Sequence, residues 1–454
     1  MRPEPIAAAA DAPAVDIPAF DATPFVARRQ ALLRHMAESG SGIAILPSGG
    51  EVLRNRDAHF PFRFDSYFYY LTGFAEPDAV LVLLAGDRPR SILFCRPKDE
   101  TREIWDGYRH GPAAAREMFA MDEANEIAAL DECLPKWMAD CDAVWFALGH
   151  DAAWDARLKA WLDAVRALVR TGVTAPGVVR DVHVPLDEMR LIKDASELAT
   201  MRRAAAISCR AHARAMRFTR PGVREFQVEA ELLHEFRMGG AQSPAYGSIV
   251  ATGANSCVLH YRADSAVCAD GELLLIDAGC EVDGYASDIT RTFPVNGRFS
   301  GPQRECYELV LAAQAAAFAA TLPGRHWNEP HDAAVAVLAQ GFIDLGLLQG
   351  SLDSVLESKA YSRFYMHRTG HWLGLDVHDA GAYKVAGEWR PLLPGMVLTV
   401  EPGCYIRAAE DIDPRFHEIG IRIEDDALVT VEGHENLTLA APKLVADIEA
   451  LMRR

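Results

Sequence analysis

The acidic residues with the clearest chemical meaning lie in the second half of the chain, at the ends of apolar runs. Asp277 ends the apolar run at 273–276, which is a poor place for a solvated charge and a good one for a metal ligand. Asp288 follows eleven residues later, and the turn-like GCEVDGY at 279–285 lets a hairpin bring both carboxylates face to face. Two buried carboxylates repel each other unless they are protonated or bridged by cations. Standing alone, the pair would more simply be two exposed turn aspartates.

Three histidines in the thirteen-residue segment HRTGHWLGLDVHD, 367–379, favour a site over that simpler interpretation. A lone histidine is more often a core or surface residue than a ligand. His367 and His371 are four residues apart, and His378 follows seven later in a Gly-punctuated, otherwise apolar stretch. The clustering therefore predicts that imidazoles join the carboxylates.

Two further acids end the apolar strands near the C-terminus. Glu401 follows MVLTV, and Glu424 alternates with Arg422 in GIRIEDD, which predicts that Arg422 and Glu424 share one strand face. Arg422 can balance one buried acid, and a metal would balance the rest.

The resulting candidate set holds four carboxylates and one imidazole: Asp277, Asp288, His371, Glu401 and Glu424. This is too much negative charge for one divalent ion and suits two bridged ions about 3.5–4 Å apart, which can generate a hydroxide nucleophile at neutral pH. Oxygen-rich ligation without thiolates favours Mn²⁺, with Co²⁺, Zn²⁺ or Fe²⁺ as alternatives.

The elements that must position these residues form two domains. The first half predicts a helix from Thr23 to about Gly40 and another over 151–170, with strands at 42–46, 67–74, 79–86 and 91–95, an α/β domain. The segment 174–190 is rich in turn-forming residues and has no amphipathic period, which predicts that the domain boundary lies there. We therefore expect a flexible leader over 1–22, an N-terminal domain over 23–180 and a catalytic domain over 181–454.

The second half mixes long helices with strands of period two, an α+β pattern. Asp194 or Ser196 can cap a helix that ends before Pro221-Gly222, and a second helix closes on Gly239-Gly240. Further helices are predicted near 302–322 and 330–345, and strands at 273–279, 397–403 and 420–426.

Composition excludes several classes of function. The chain has 454 residues with 46 Lys+Arg against 64 Asp+Glu, a net charge of −18, which disfavours nucleic-acid binding. Its longest nearly apolar stretch, 309–322, is too short to cross a bilayer. Nine scattered cysteines without a CxxC pair favour a reducing compartment. The N-terminus lacks the apolar core of a secretory signal, so we expect a cytoplasmic protein.

Several strings together resemble the creatinase/aminopeptidase, or pita-bread, metallopeptidase family and, within it, the bacterial aminopeptidase P branch. The resemblance leaves out only the first twenty or so residues. It is carried by SIVATGANSCVLHY (248–261), LIDAGCEVDGYASDITRTFPVNG (275–297), FYMHRTGHWLGLDVHDAG (364–381), PGMVLTVEPGCYI (394–406), GIRIEDD (420–426) and ENLT (435–438), and in the first half by 54–84 and EIWDGYRHG (103–111).

The resemblance implies roles for individual residues. The five candidate ligands become metal ligands, and His260 and His378 become non-ligand histidines that contact the substrate and the developing tetrahedral intermediate. Glu401 is in addition the candidate proton shuttle to the leaving proline nitrogen. The positions implied to line the substrate site are His367, Tyr405, Arg422 and, from the N-terminal domain, Trp105.

The implied activity is release of the N-terminal residue from peptides with proline in second position. The nearest alternative is prolidase, which has the same ligand set and acts on Xaa-Pro dipeptides. Methionine aminopeptidase lacks a comparable N-terminal domain, and the non-enzymatic binding modules and metal-independent creatinase of this fold lack the ligand set. Relatives form dimers or tetramers, so a homo-oligomer is expected. Arg368 and Thr369 stand where small or apolar residues are commoner, which leaves open the preference for the residue after proline, and the role of Arg390 is also open.

Overall fold

The computed structural model describes residues 18–453, whose internal contacts separate two units, Ala19–Arg190 and Leu191–Arg454. The segment 174–190, in which the domain boundary is expected, contains most of a helix, His183–Leu191, that contacts the first unit. Tyr67 Oη donates to Asp187 at 2.6 Å and Tyr70 Oη to the Met189 carbonyl at 3.1 Å. Of the leader expected over 1–22, residues 1–17 lie outside the described part.

The first unit is built on a six-stranded mixed sheet in the order β4-β3-β2-β1-β5-β6. The pairs β1/β2 and β2/β3 are antiparallel, while β3/β4, β1/β5 and β5/β6 are parallel. Its strands are β1 (Gly42–Pro47), β2 (Val80–Ala85), β3 (Arg90–Cys95), β4 (Glu123–Glu126), β5 (Ala143–Trp145) and β6 (Val178–Arg180). Its helices are α1 (Thr23–Ala37), α2 (Ser66–Thr72), α3 (Glu100–Asp106), α4 (Gly111–Met118), α5 (Leu130–Met138), α6 (Ala152–Arg166) and α7 (His183–Leu191).

This architecture confirms the predicted α/β class, but the strand predicted at 67–74 is wrong. The segment forms α2, whose first turn is capped by the Asp65 side chain, which accepts from the Phe68 backbone N–H. Gly73 ends the helix in the left-handed conformation at φ 67°. A short, mostly apolar run fits a buried helix as well as a strand, and here the two caps decide between them.

The second unit confirms the predicted α+β class. Its helices are α8 (Ala195–Phe218), α9 (Glu225–Met238), α10 (Gly301–Ala320), α11 (Glu329–Asp344), α12 (Leu352–Ser358) and α13 (Val445–Leu451). Its strands are β7 (Ser243–Pro244), β8 (Ile249–Thr252), β9 (Leu273–Asp277), β10 (Cys280–Val282), β11 (Tyr285–Ala286), β12 (Thr290–Pro294), β13 (Lys384–Val385), β14 (Glu388–Trp389), β15 (Val397–Val400), β16 (Gly403–Ile406), β17 (Ile419–Arg422), β18 (Asp425–Val429) and β19 (His434–Asn436).

Short antiparallel sheets carry the chemistry-bearing segments of this unit. They pair in the orders β12-β9-β8, β15-β18-β19, β16-β17, β11-β10-β7 and β13-β14. One apolar core joins them to the long helices, with Phe236 of α9, Ile276 of β9, Val310 of α10 and Ile421 of β17 all fully or almost fully buried. The strands are thereby fixed against helices, which also holds the polar residues at the strand ends in place.

Of two local features predicted for this unit, one is confirmed and the other is wrong. Asp194 caps α8 as predicted, in a capping box with Glu197. The single strand predicted at 420–426 is instead two strands, because its partner changes from β16 to β15 at Ile423-Glu424. Backbone bonds from Glu424 N to the Thr290 carbonyl (3.0 Å) and from Ile423 N to the Pro402 carbonyl (3.3 Å) hold this break.

Within residues 18–453, no helix is both long and apolar enough to cross a membrane.

Candidate metal centre

The five acidic and histidine residues singled out by the sequence converge on one cleft of about 850 Å³ in the second unit. Each enters from a strand end or the loop beside it. Asp277 ends β9, Asp288 precedes β12, Glu401 follows β15, Glu424 precedes β18, and His371 lies in the loop ahead of β13.

The hairpin inferred from the sequence brings Asp277 and Asp288 together. Strand β12 pairs antiparallel with β9, so that Thr290 lies opposite Asp277, and the Ala278 N–H donates to the Ile289 carbonyl at 3.0 Å. A side chain at Gly279 would place its Cβ 1.7 Å from the Ser287 carbonyl oxygen. Only glycine permits this approach, so Gly279 is what lets the two carboxylate-bearing segments close on each other.

Tyr246, which the sequence reasoning missed, links the two aspartates. Its hydroxyl lies 2.6 Å from Asp277 Oδ1 and also within hydrogen-bonding distance of Asp288 Oδ1. Burial, followed by the charges of these two carboxylates, raises the pKa of Tyr246 well above its usual value, so the phenol keeps its proton and donates it. Nothing in its local sequence, PAYG, signals this contact.

His371 presents one free ring nitrogen to the acids. Its Nδ1 donates to the Trp372 carbonyl at 2.9 Å, and its Nε2 lies 3.5 Å from Asp288 Oδ2 and 3.7 Å from Glu401 Oε1. Burial alone lowers the pKa of His371, but the two carboxylates outweigh burial and raise it to about 9. The backbone bond fixes the ring so that Nε2 faces the cluster.

The carboxylates are crowded and poorly compensated. Burial, followed by repulsion from the neighbouring acids, raises the pKa of Glu424 well above its usual value. Burial likewise raises the pKa of Glu401 to about 7 against the opposing charges of His371 and Arg422. The pKa of Asp288 is also raised, again chiefly by burial.

Arg422 starts a hydrogen-bonded relay along one wall of the cleft. Its Nη2 donates to Asp277 Oδ2 at 2.6 Å and its Nη1 to Tyr405 Oη at 2.9 Å. The Tyr405 hydroxyl meets His367 Nε2 at 2.9 Å, and His367 Nδ1 donates to the Arg368 carbonyl at 2.7 Å. Burial, with the charge of Arg422, lowers the pKa of His367 to about 3, so this imidazole is neutral and accepts the tyrosine proton.

The remaining predicted residues differ in where they lie. His260 and His378 are exposed side chains that line the same cleft, and the His378 ring centroid is 4.3 Å from that of His371. Burial, with the charges of His371 and His260, lowers the pKa of His378. Trp105 belongs to α3 of the first unit and is 80% exposed, and its place beside a substrate stays a prediction.

The donor set fits divalent metal ions. Single ligand atoms from Asp288, His371 and Glu424 lie within 4.8 Å of one another, which is the spacing that a shared ion requires. The carboxylates draw a proton to His371 Nε2, and a divalent cation would displace that proton. Backbone and hydroxyl partners hold the ligands from behind, as the Thr290 hydroxyl does by donating to Glu424 Oε2 at 2.6 Å.

Comparisons with known proteins agree with this geometry. The profile of metallopeptidase family M24 matches residues 199–431, and that of the aminopeptidase P N-terminal domain matches 25–145. The chain is 44% identical to the Xaa-Pro aminopeptidase of Escherichia coli over 94% of this chain and 97% of that protein. It is 34% identical to human Xaa-Pro aminopeptidase 3 over 92% of this chain and 83% of that protein.

Solved structures give the same result. Aminopeptidase PepP of Pseudomonas aeruginosa superposes with a TM-score of 0.94 at 50% identity, covering 97% of this chain and 99% of that one. Zinc-substituted Escherichia coli aminopeptidase P, solved with its product, superposes with a TM-score of 0.92 at 42% identity, covering 95% and 98%.

Proposed function

The chain belongs to metallopeptidase family M24, with an aminopeptidase P N-terminal domain ahead of a pita-bread catalytic domain, and we propose that it releases the first residue from peptides whose second residue is proline. The observation that carries this proposal is the convergence of Asp277, Asp288, His371, Glu401 and Glu424 on one cleft. The curated relatives and solved structures named above favour this activity over prolidase.

The five converging side chains would hold two divalent ions, for which Mn²⁺ is favoured and Co²⁺, Zn²⁺ or Fe²⁺ are alternatives. When bound, such ions polarise the scissile carbonyl and lower the pKa of water at the site. The name of the zinc-substituted relative supports a metal at this position without identifying the one used here.

The chain's own residues then bind the peptide, orient it and transfer a proton. The acidic floor of the cleft attracts the free α-amine of a peptide, which restricts cleavage to its N-terminal end. His260 and His378 stand at the exposed side of the cleft, where imidazole N–H groups can donate to the carbonyl oxygen as negative charge develops on it.

Glu401 moves the proton. As water adds to the carbonyl carbon and the bond to the proline nitrogen breaks, Glu401 takes the proton of the attacking water and delivers it to that nitrogen. A prolyl amide has no N–H, so shape and placement must select it. We propose that the hydrogen-bonded residues Arg422, Tyr405 and His367 form the wall of the cleft that contacts the proline ring. Trp105 remains a further candidate contact.

The test is hydrolysis of Ala-Pro-Ala and Ala-Pro by metal-free protein reloaded with Mn²⁺, with metal content measured on the same sample. We expect release of alanine from the tripeptide. No release with any of the four divalent ions would refute the proposal, and cleavage of the dipeptide alone would indicate prolidase.

Matched variants assign the roles. Asp277→Asn is expected to lose both metal and activity, whereas Asp270→Asn, an exposed aspartate of the same unit, is expected to keep both. His378→Ala is expected to lower kcat steeply with metal content near two per chain. Loss of metal in that variant would mean that His378 has been given the wrong role.

We further propose a cytoplasmic homo-oligomer, a dimer or a tetramer, that acts on peptides and binds no nucleic acid. All nine cysteines lie in the described part of the chain and are free thiols, which supports a reducing compartment. Light scattering of the metal-loaded protein measures the assembly, and a monomer at micromolar concentration would refute it.

A further inference from the structure

The cleft combines an acidic floor with a basic rim. Its floor holds the four carboxylates, and two exposed arginines, Arg262 and Arg368, line the same cleft. A peptide whose amine lies at the floor must send the residues after proline toward the rim. The two rim arginines therefore match a substrate that carries negative charge beyond proline.

The two rim arginines differ in how much of their hydrogen-bonding capacity is used. Arg262 Nη1 donates to the Gly247 carbonyl, which anchors it to the backbone. Arg368 has no hydrogen bond from its guanidinium and no ion pair to any residue within 18–453. An arginine presents five N–H donors in a fork suited to a carboxylate, and all those of Arg368 are available.

Aromatic packing orients the Arg368 side chain. Its guanidinium carbon lies 5.1 Å from the centroid of the Trp389 ring, and Trp389 also lines the cleft. Lys384, on the strand paired with Trp389, places its Nζ 4.4 Å from the same centroid. An indole that carries two cations holds the guanidinium in position and leaves its donors exposed.

The position in the chain connects Arg368 to the reaction. Its carbonyl accepts from His367, the end of the relay that starts at Arg422, and His371 follows three residues later. Arg368 is therefore part of the segment that carries two site histidines. The Arg368 side chain lines the same cleft as His367 and His371.

We propose that Arg368 binds the carboxylate that follows proline in the substrate, so that the enzyme prefers Xaa-Pro-Yaa peptides in which residue Yaa is negatively charged. This rests on the proposed Xaa-Pro aminopeptidase function. The carboxylate has two sources, the C-terminus of a tripeptide or the side chain of Asp or Glu at Yaa. Both offer the same bidentate partner to the guanidinium.

The test compares kcat/KM for two pairs of peptides: Ala-Pro-Ala with a free C-terminus against its amide, and Ala-Pro-Glu-amide against Ala-Pro-Gln-amide. For a partly exposed, charge-assisted contact we expect the parent to prefer the charged member of a pair by about three- to tenfold. A preference in the first pair alone assigns the C-terminal carboxylate, and a preference in the second assigns the side chain as well.

Variants attribute the preference to Arg368. In Arg368→Gln the ratio is expected to fall to about one, mainly through KM for the charged peptide, while the uncharged peptide is cleaved at close to the parental rate. Arg368→Lys keeps the charge without the fork and is expected to retain part of the preference. Arg298→Gln removes an exposed arginine outside the cleft and is the matched control.

Two results would overturn the proposal: equal kcat/KM for both members of each pair in the parent, or an unchanged ratio in Arg368→Gln. If Arg368→Gln does not fold, the Arg368→Lys ratio and its decline with added salt decide instead, because a contact between exposed charges weakens as salt rises. Failure of the proposed function is a different result, in which the parent cleaves none of the four peptides.

Discussion

Replacement of Lys193 by methionine tests how the structure holds His378 at the cleft. Lys193 Nζ lies 2.8 Å from Asp379 Oδ2, and both side chains are 1% exposed. Asp379 follows His378 directly; its Oδ1 accepts from the Asp376 N–H at 3.2 Å, and its backbone N–H donates to the Trp372 carbonyl at 2.9 Å. The buried pair therefore fixes the turn that presents His378.

The size of the effect follows from burial. Removing one partner of a buried ion pair costs about 3–5 kcal/mol where the other charge is left uncompensated, and the further contacts of Asp379 place the expected cost at the lower end of this range. For a unit of this size the cost corresponds to a fall in Tm of about 10 °C. We also expect a lower kcat, because His378 loses its fixed orientation.

The assay is calorimetric Tm together with kcat, KM and metal content on Ala-Pro-Ala, for the metal-loaded protein. Lys359→Met removes an exposed lysine of the same unit and is the control, with Tm and kcat expected to stay at parental values. The double variant Lys193→Met with Asp379→Asn removes both charges and is expected to recover part of the lost stability.

Two outcomes would refute this reasoning. A Tm for Lys193→Met within about 1 °C of the parent would mean that the pair contributes no net stability, as many exposed pairs do. Loss of metal in parallel with kcat would mean that Lys193 supports the ligands rather than His378.

Three further predictions concern metal affinity, removal of metal and pH. Tyr246→Phe removes the hydroxyl between Asp277 and Asp288 and is expected to weaken metal binding about tenfold in chelator competition; unchanged affinity would contradict its supporting role. Chelation of the parent is expected to lower Tm by about 5 °C or more, because the clustered carboxylates lose their counter-charge, and reloading should restore it; a constant Tm with metal content near zero would argue against the site. Burial, opposed by the bond from Nε2 to the Ala278 carbonyl at 2.9 Å, lowers the pKa of His212 from 6.5 to about 4, so the unfolded chain binds a proton between these values that the folded chain does not. The stability that this group contributes is complete above pH 6.5 and falls by about 3 kcal/mol toward pH 4. Urea titrations across this range, on metal-free parent and His212→Gln, should show a smaller pH dependence of the unfolding free energy in the variant. Equal pH dependence in the two proteins would reject this role for His212.

The sequence was most informative where chemistry and periodicity coincide. Asp277 and Glu401 each end an apolar run, and a charge at such a place has few explanations other than a partner or a metal. The long helices were readable for a similar reason, since the cap at Asp194 and the Gly239-Gly240 stop are local signals.

The sequence was least informative where a local pattern fits two structures and where long-range contacts decide. The apolar run at 67–74 became a helix through the Asp65 cap and the Gly73 terminus, both short-range, yet the run itself fits either period. Tyr246 joins Asp277 and Asp288 across more than thirty residues of chain, and Lys193 reaches Asp379 across 186. No local pattern encodes such contacts, because they depend on how the sheets pack.

The net charge of the whole chain combines two contributions, the carboxylates of the cleft and the charged residues elsewhere. Four of the 64 acids line the cleft, where two divalent ions would compensate them, so about −14 of the net charge of −18 belongs to the rest of the chain. Under the proposed preference, Arg368 is the charge that a peptide meets after proline, while the α-amine of that peptide lies at the carboxylate-lined floor. Selectivity for the amino end and for the residue beyond proline therefore depends on different groups, and a change at the rim should alter KM while leaving the chemistry at the floor intact.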